Sequence, residues 1–254
     1  MNTIQLARNS QTPDDWRSML SGISTLCVDL WGTVARSDNR EPILDAQRIL
    51  GYKTESIDPK DLRSVDPAFL NVCLTTDVRD AVGFLRSVAS RFDLPVNHDQ
   101  VEQFQEVVDH EASCSGVFFD AKNALKGLKA RGFQMSLVSN LWSFPVDCLF
   151  AEDNLGKYFP AEWRIYSFEE GVSKPDPEIY RRAYMRCRTS PENCLMIGDH
   201  LENDILPALA VGMKACLVDR NRKYDLTQIP DGVLVVKSME ELLSLLPEAP
   251  AGTY

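Results

Sequence analysis

Four sets of polar residues each sit at the end of a short apolar run or in the loop before a helix. They are Asp29 with Gly32 and Thr33 after TLCV, Ser139 and Asn140 closing FQMSLVSN, Lys174 ahead of DPEIY, and Asp199 with Asp204 after CLMIG. Singly, each has an ordinary structural explanation, because Asp at a strand end serves as a turn or cap and a loop Lys is usually solvated. Together they supply a nucleophilic carboxylate, a hydroxyl donor, a cation and further carboxylates. Phosphoryl transfer through a covalent aspartyl phosphate needs that set, including acids able to hold Mg²⁺ against the substrate oxygens.

Such groups act only if the fold delivers them to one place. TLCVD, FQMSLVSN, WRIYSF, CLMIG, KACLV and VLVV read as strands, and between most of them lie helical patterns. FFDAKNALKGLKARG is amphipathic and stopped by Gly132, and DPEIYRRAYMRCR opens with Asp176 as cap and Pro177 at its first position. A short helix is expected over 144–153, another over NDILPALAVG, and a closing helix at SMEELLSLL with Ser238 and Glu241 as a capping box. Strands alternating with helices predict an α/β fold, a Rossmann-like, mostly parallel sheet with helices on both faces. From about 41 to 112 helical spacing replaces that rhythm, punctuated by Pro42, Pro59, Pro67 and Pro95, so a small helical insert follows the first strand. Its expected place is above the carboxyl ends of the strands, where open α/β sheets bind ligands. The expected division is an N-terminal extension over 1–24, a core of 25–35 and 116–246, a helical cap over 36–115, and a tail over 247–254.

The chain has 254 residues with 37 acidic and 27 basic side chains, a formal charge of −10. That balance disfavours a general electrostatic grip on nucleic acid or an anionic membrane. No stretch reaches 18 apolar residues, and the first 24 residues resemble neither a secretory signal nor a transit peptide. Seven cysteines lie without thiolate-zinc spacing, several within strands, as reduced hydrophobes do. A cytoplasmic protein is the expectation. TPDDWRSML in the extension reads as one or two amphipathic turns, with Trp16 and Leu20 able to pack on the core or on another subunit.

In this order and spacing the four segments resemble the four motifs of the haloacid dehalogenase superfamily. DLWGTV is similar to the first, LVSN to the second, EEGVSKPDPEIY to the third and IGDHLENDILPALAVG to the fourth, over about residues 24–220. The insert stands where that family carries its type 1 helical cap. The resemblance implies that Asp29 is the nucleophile, Ser139 the hydroxyl that holds a transferring phosphoryl oxygen, and Lys174 the neutralising ion-pair partner. It implies Mg²⁺ held by Asp29, the Trp31 carbonyl and Asp199, with Asp204 and Thr33 in support. Amides after Asp29, from Leu30 and Trp31, and around Asn140 would cradle the phosphate. The substrate so implied is a small phosphorylated metabolite; a homo-oligomer or a protein partner stays open.

One position departs from the pattern. Two residues after the nucleophile, phosphatases of the family carry an acid–base Asp, and here stands Trp31. An indole cannot shuttle a proton, so assistance worth about 10²–10⁴ in rate must come from elsewhere or be unnecessary. Three readings follow: a Mg²⁺-dependent phosphatase of low turnover or adapted leaving group, a 2-haloacid dehalogenase, whose halide needs no acid, or a non-catalytic binding protein. The paired carboxylates of GDHLEND resemble the metal-dependent phosphatases, and the resemblance implies Ser and Asn there in dehalogenases. His200 is the nearest histidine, since His98 and His110 lie in the insert. Trp142 could wall the pocket or simply pack, and Arg36, Arg40, Arg79 and Arg86 are candidates to bind substrate beyond its phosphate.

Overall fold

The computed structural model describes residues 20–37, 41–58, 64–144, 149–151 and 154–250. In chain order the strands are β1 (Thr25–Val28), β2 (Ala35–Arg36), β3 (Gly116–Val117), β4 (Gln134–Ser139), β5 (Arg164–Tyr166), β6 (Cys194–Gly198), β7 (Lys214–Val218) and β8 (Leu234–Val236). The helices are α1 (Pro42–Ile49), α2 (Pro67–Leu74), α3 (Ala81–Ser90), α4 (His98–Cys114), α5 (Phe119–Ala130), α6 (Ser167–Glu170), α7 (Pro177–Arg186), α8 (Leu206–Ala210) and α9 (Met239–Leu245).

Six strands form one sheet in the order β5-β4-β1-β6-β7-β8, every neighbouring pair parallel. Successive residues of a strand face opposite sides. Accordingly Leu26 and Val28 of β1 and Leu195 and Ile197 of β6 join Leu125, Leu128 and Leu242 on one face. Cys27 and Met196 join Ile179, Tyr180 and Ala183 of α7 on the other. Burial on both faces is why these strands read as unbroken apolar runs. The expected α/β architecture with an inserted helical region is the one observed, and the strands leading to Asp29, Ser139 and Gly198 are neighbours. From β1 the chain fills β4 and β5 on one side, then returns through α7 to β6 on the other. The ends of β4, β1 and β6 thus frame a crevice of the kind that binds ligands.

Helices α1 to α4 lie between β2 and β3, which pair antiparallel, Ala35 with Val117 and Arg36 with Gly116. Pro42 and Pro67 occupy the first helical turn of α1 and α2, so these prolines open helices as well as ending loops. Inside the insert the rings of Tyr52, Phe69 and Phe92 pack at centroid distances of 4.5–5.7 Å. The insert's apolar interior is continuous with that of the core. Phe84 of α3 and Phe104 of α4 pack edge-on against Trp142 and Phe144 of the loop after β4, at centroid distances of 5.1–5.9 Å.

Several elements differ from expectation. WRIYSF is a strand only over Arg164–Tyr166, because Ser167 turns away to accept from the Leu141 amide and donate to the Leu141 carbonyl. The helix after β6 starts as a π-helical turn over Leu201–Ile205, before α8. At the closing helix Ser238 accepts from the Glu241 amide, as a capping box requires, while the Glu241 carboxylate receives the amide of Lys237 instead of the cap residue's own. Most of the TPDDWRSML segment including Trp16, Arg40 and much of 144–153 lie outside the described residues. Among the described residues, no helix is long and apolar enough to cross a membrane.

Candidate active site

Asp29 follows β1 directly, and its amide donates to the Ile197 carbonyl of β6 at 2.8 Å, which carries the strand pairing one residue further. Its carboxylate is buried. Oδ1 accepts from Lys174 Nζ at 2.6 Å and Oδ2 from Thr33 Oγ1 at 3.1 Å. The turn after it is tight: the Leu30 carbonyl accepts from the amides of Val34 and Ala35, and Gly32 has φ +77°. A Cβ on Gly32 would stand 2.5 Å from the Asp199 carboxylate, so glycine allows the turn to pass directly beneath that side chain.

Lys174 is buried and meets a second carboxylate, Asp204 Oδ1, also at 2.6 Å. Its backbone is clamped by Asn140, which donates from Nδ2 to the Lys174 carbonyl at 2.8 Å and accepts the Lys174 amide at 2.7 Å. The π-helical turn sets Asp204 back against Gly198, where a Cβ would lie 2.4 Å away, and its Oδ2 accepts from the His200 amide at 3.0 Å. Tyr180 Oη donates to the carbonyl of the adjacent Asn203. A π-turn inside a helix is frequent at functional sites, since it re-aims one side chain.

Carboxylate oxygens of Asp29, Asp199 and Asp204 all lie within 4.8 Å of one another. Burial pushes the Asp29 carboxyl up to about 7, with repulsion from Asp204 and Asp199 adding to the rise and Lys174 opposing it. Burial also raises Asp199, against the pull of Lys223. Burial alone would lower Lys174, yet Asp204 and Asp29 outweigh it and hold the ammonium above the ordinary lysine range. The cluster is able to coordinate a divalent metal, and its hard oxygen donors suit Mg²⁺. Lys174 and the His200 amide engage the two oxygens of Asp204, Lys174 and Thr33 those of Asp29, and Lys223 one oxygen of Asp199.

The family of haloacid dehalogenase-like hydrolases matches residues 23–212, three quarters of the chain and all four of these segments. This chain belongs to that family. Among its relatives it is 29% identical over 128 residues to haloacid dehalogenase-like hydrolase domain-containing protein 3 of Danio rerio, covering 50% of this chain and 51% of that one. It is 27% identical over 147 residues to phosphoglycolate phosphatase 1 of Pseudomonas aeruginosa, covering 58% and 53%. The chain thus spans about half the length of these curated relatives. Solved structures of the same fold include a HAD phosphatase from Thermococcus onnurineus, with TM-score 0.58, 20% identity and coverage of 89% and 99%. A 2-haloacid dehalogenase from Pseudomonas syringae pv. Tomato matches equally, with TM-score 0.58, 20% identity and coverage of 88% and 98%. The fold of the family therefore does not choose between the two chemistries.

Beyond the carboxylates, a cavity of about 670 Å³ opens between sheet and insert. Trp31, Asn140 and Asp199 line it from the core and Arg36, Leu70 and Glu111 from the insert. The Trp31 side chain is half-buried there. Ser139 is fully buried, and its hydroxyl reaches the Asn140 carbonyl at 3.5 Å. The Gly32 amide is occupied by the Ala35 carbonyl and the Leu141 amide by Ser167. Trp142 is packed within the aromatic cluster and also borders the cavity. Of the candidate arginines, Arg36 lines the cavity, Arg79 pairs with Glu169 and lies over Phe168, and Arg86 is exposed on α3. His200 is exposed, with Nδ1 3.2 Å from Glu202.

Sequence reasoning misses two contributors. Lys223 Nζ lies 3.2 Å from Asp199 Oδ2, and Tyr224 Oη donates to the Asp199 carbonyl while accepting the Leu201 amide. Both sit in the loop after β7, shaped by the buried Asp219, whose carboxylate accepts the amides of Lys223 and Tyr224. The signal that could have found them is the one that found the others: KACLV is a strand, and polar residues follow its carboxyl end.

Proposed function

We propose that the chain is a Mg²⁺-dependent phosphatase acting on a small phosphorylated metabolite through an aspartyl-phosphate intermediate. The observation that carries this reading is the buried Asp29–Lys174–Asp204 array, with Asp199 within 4.8 Å of both carboxylates. Relatives named phosphoglycolate phosphatase, ribulose-1,5-bisphosphate 5-phosphatase and phosphoserine phosphatase agree with it.

In this reading an Asp29 oxygen attacks phosphorus as the ester P–O bond breaks, and water then attacks the acyl phosphate to regenerate Asp29. Thr33 holds one oxygen of Asp29 so that the carboxylate keeps its orientation. Lys174 neutralises nucleophile and phosphate together, and Asp204 fixes Lys174. Ser139 and the amides of Leu30, Trp31 and Asn140 take the phosphoryl oxygens. Asp29, the Trp31 carbonyl and Asp199 would hold Mg²⁺, which when bound neutralises charge on the phosphate. Trp31 stands in for the family's acid–base Asp, so the preferred substrate is one whose leaving oxygen needs little protonation. The insert over 36–115 acts as a type 1 cap on the core of 25–35 and 116–246, between a terminal extension and a tail. A cytoplasmic site of action belongs to the same reading.

A second reading rests on Trp31 itself, whose indole lines the cavity where halide, needing no proton, would depart. The deciding experiment assays phosphate release from a panel of phosphomonoesters and chloride release from 2-chloro acids, each with and without Mg²⁺, with D29N as control. Metal-dependent phosphate release lost in D29N supports the phosphatase. Metal-independent chloride release establishes the dehalogenase, and silence of the wild type on both panels defeats both catalytic readings.

A further inference from the structure

Arg220, in the loop after β7, is directed at the backbone of the Asp29 turn rather than at any carboxylate of the site. Its side chain is 18% exposed. Nε donates to the Gly32 carbonyl at 3.1 Å and Nη2 to the Thr33 carbonyl at 2.6 Å. Nη1 donates to both oxygens of Asp120 at 3.0 Å, and the guanidinium lies 4.0 Å above the centre of the Phe118 ring. Asp120, near the start of α5, also accepts the amide of Met239, the first residue of α9. The fork is thus held from behind by the starts of two core helices and from below by an aromatic face.

The carbonyls it grips control the orientation of the turn. A carbonyl and the following N–H share one rigid peptide plane, so holding the Gly32 and Thr33 oxygens fixes the planes on both sides of Thr33. With its backbone fixed, Thr33 can aim Oγ1 at Asp29 Oδ2 from one rotamer. The amides of Gly32, Val34 and Ala35 close the turn internally, and the Val34 carbonyl accepts from the Phe118 amide at 3.0 Å, so Arg220 adds the hold on the two carbonyls that precede it. Lysine could not replace this arrangement, because one ammonium cannot span four acceptors that a planar guanidinium reaches at once.

We propose that Arg220 is a positioning residue for the reaction at Asp29: it locks the Gly32–Thr33 backbone and, through the Thr33 hydroxyl, the direction of the nucleophilic carboxylate. This rests on the reading of Asp29 as nucleophile. The test compares wild type, R220Q, R220K and R220A in steady-state hydrolysis of a phosphomonoester that the wild type turns over, and in backbone hydrogen exchange. Misplacing a reacting group by an ångström costs about 10² in rate, so kcat should fall by about that factor in R220Q with KM changed by less than about threefold. R220K should not recover it, whereas millimolar guanidinium should restore part of the kcat of R220A and leave wild type unaffected. Amides of residues 30–36 should exchange about tenfold faster in R220K while those of α5 and α9 keep their protection. Unchanged kcat in R220Q, or α5 and α9 loosening as much as the turn, would overturn the proposal and leave Arg220 as a general staple of the core. Should R220Q fail to fold, R220K carries both measurements. Wild type inert on every phosphomonoester would defeat the reading of Asp29, and the exchange comparison would still decide whether Arg220 orders the turn.

Discussion

Asp204 holds the ammonium of Lys174 at 2.6 Å, in a contact where the two side chains are only 2% and 4% exposed. Removing one partner of a buried ion pair costs about 3–5 kcal/mol where the other is left uncompensated, and less here because Asp29 still pairs with Lys174. D204N should therefore melt lower than wild type and lose about 10² in kcat as Lys174 drifts, yet still bind Mg²⁺. D199N should show the reverse emphasis, with Mg²⁺ binding largely abolished. Calorimetric titration and thermal melts of both variants check this assignment, and loss of Mg²⁺ binding in D204N alone would place Asp204, not Asp199, on the metal.

Lys223 puts a positive charge 3.2 Å from Asp199, a member of the carboxylate cluster able to hold a cation. An ammonium there competes with or repels a divalent ion, although its partial exposure screens the effect. K223M should bind Mg²⁺ about three- to tenfold more tightly at low salt, with the difference shrinking as salt rises. Weaker binding in K223M would show instead that Lys223 orients Asp199 for the metal.

The role proposed for Trp31 can be tested by placing a carboxylate at that position. W31D keeps the backbone carbonyl while adding a proton donor, so hydrolysis of alkyl phosphates should rise by about 10², with little gain on p-nitrophenyl phosphate, whose leaving group is stable as an anion. A folded W31D that binds Mg²⁺ but hydrolyses neither ester would rule out the missing-acid account.

The buried Asp29 carboxyl gives a pH-dependent signature. Its folded pKa, about 7, lies above that of an unfolded aspartate, so the native state holds the proton more tightly. That contribution to stability is complete below about pH 4 and is lost as pH rises through about 7. D29N, which has no such proton to lose, should gain on wild type between about pH 5 and pH 8 in metal-free buffer, by about 2–4 °C in Tm for each kcal/mol. Added Mg²⁺ should narrow the gap by stabilising wild type. A D29N protein melting below wild type at high pH without metal would mean that attraction to Lys174 dominates over burial.

Much of this site is legible in the sequence because its residues follow strands buried on both faces, and such strands announce themselves as apolar runs. Asp29, Ser139 and Asp199 stand out in that way, and the structure brings Asp29 and Asp199 within 4.8 Å. Two-residue strands such as β2 and β3 carry no periodicity, so the hairpin at the base of the insert is invisible. The π-turn is equally hidden, since NDILPALAVG reads as an ordinary helix and only the packing of Asp204 on Gly198 shows why it widens. Arg220 and Lys223 escape because DRNRKY looks like a solvated loop: its place after the KACLV strand is the one local sign, and the amide bonds to Asp219 that shape it do not show in the sequence pattern.

The aromatic cluster of Phe84, Phe104, Trp142 and Phe144 joins the insert to the loop that holds Lys174. Its two core rings belong to the segment that starts at Asn140, and Asn140 grips the backbone of Lys174 through both its amide and its carbonyl. Any swing of the insert that widens the cavity must either strip Phe84 and Phe104 of their partners or drag Trp142 and Phe144 along. In the second case the pull would run through Asn140 to the lysine beside Asp29.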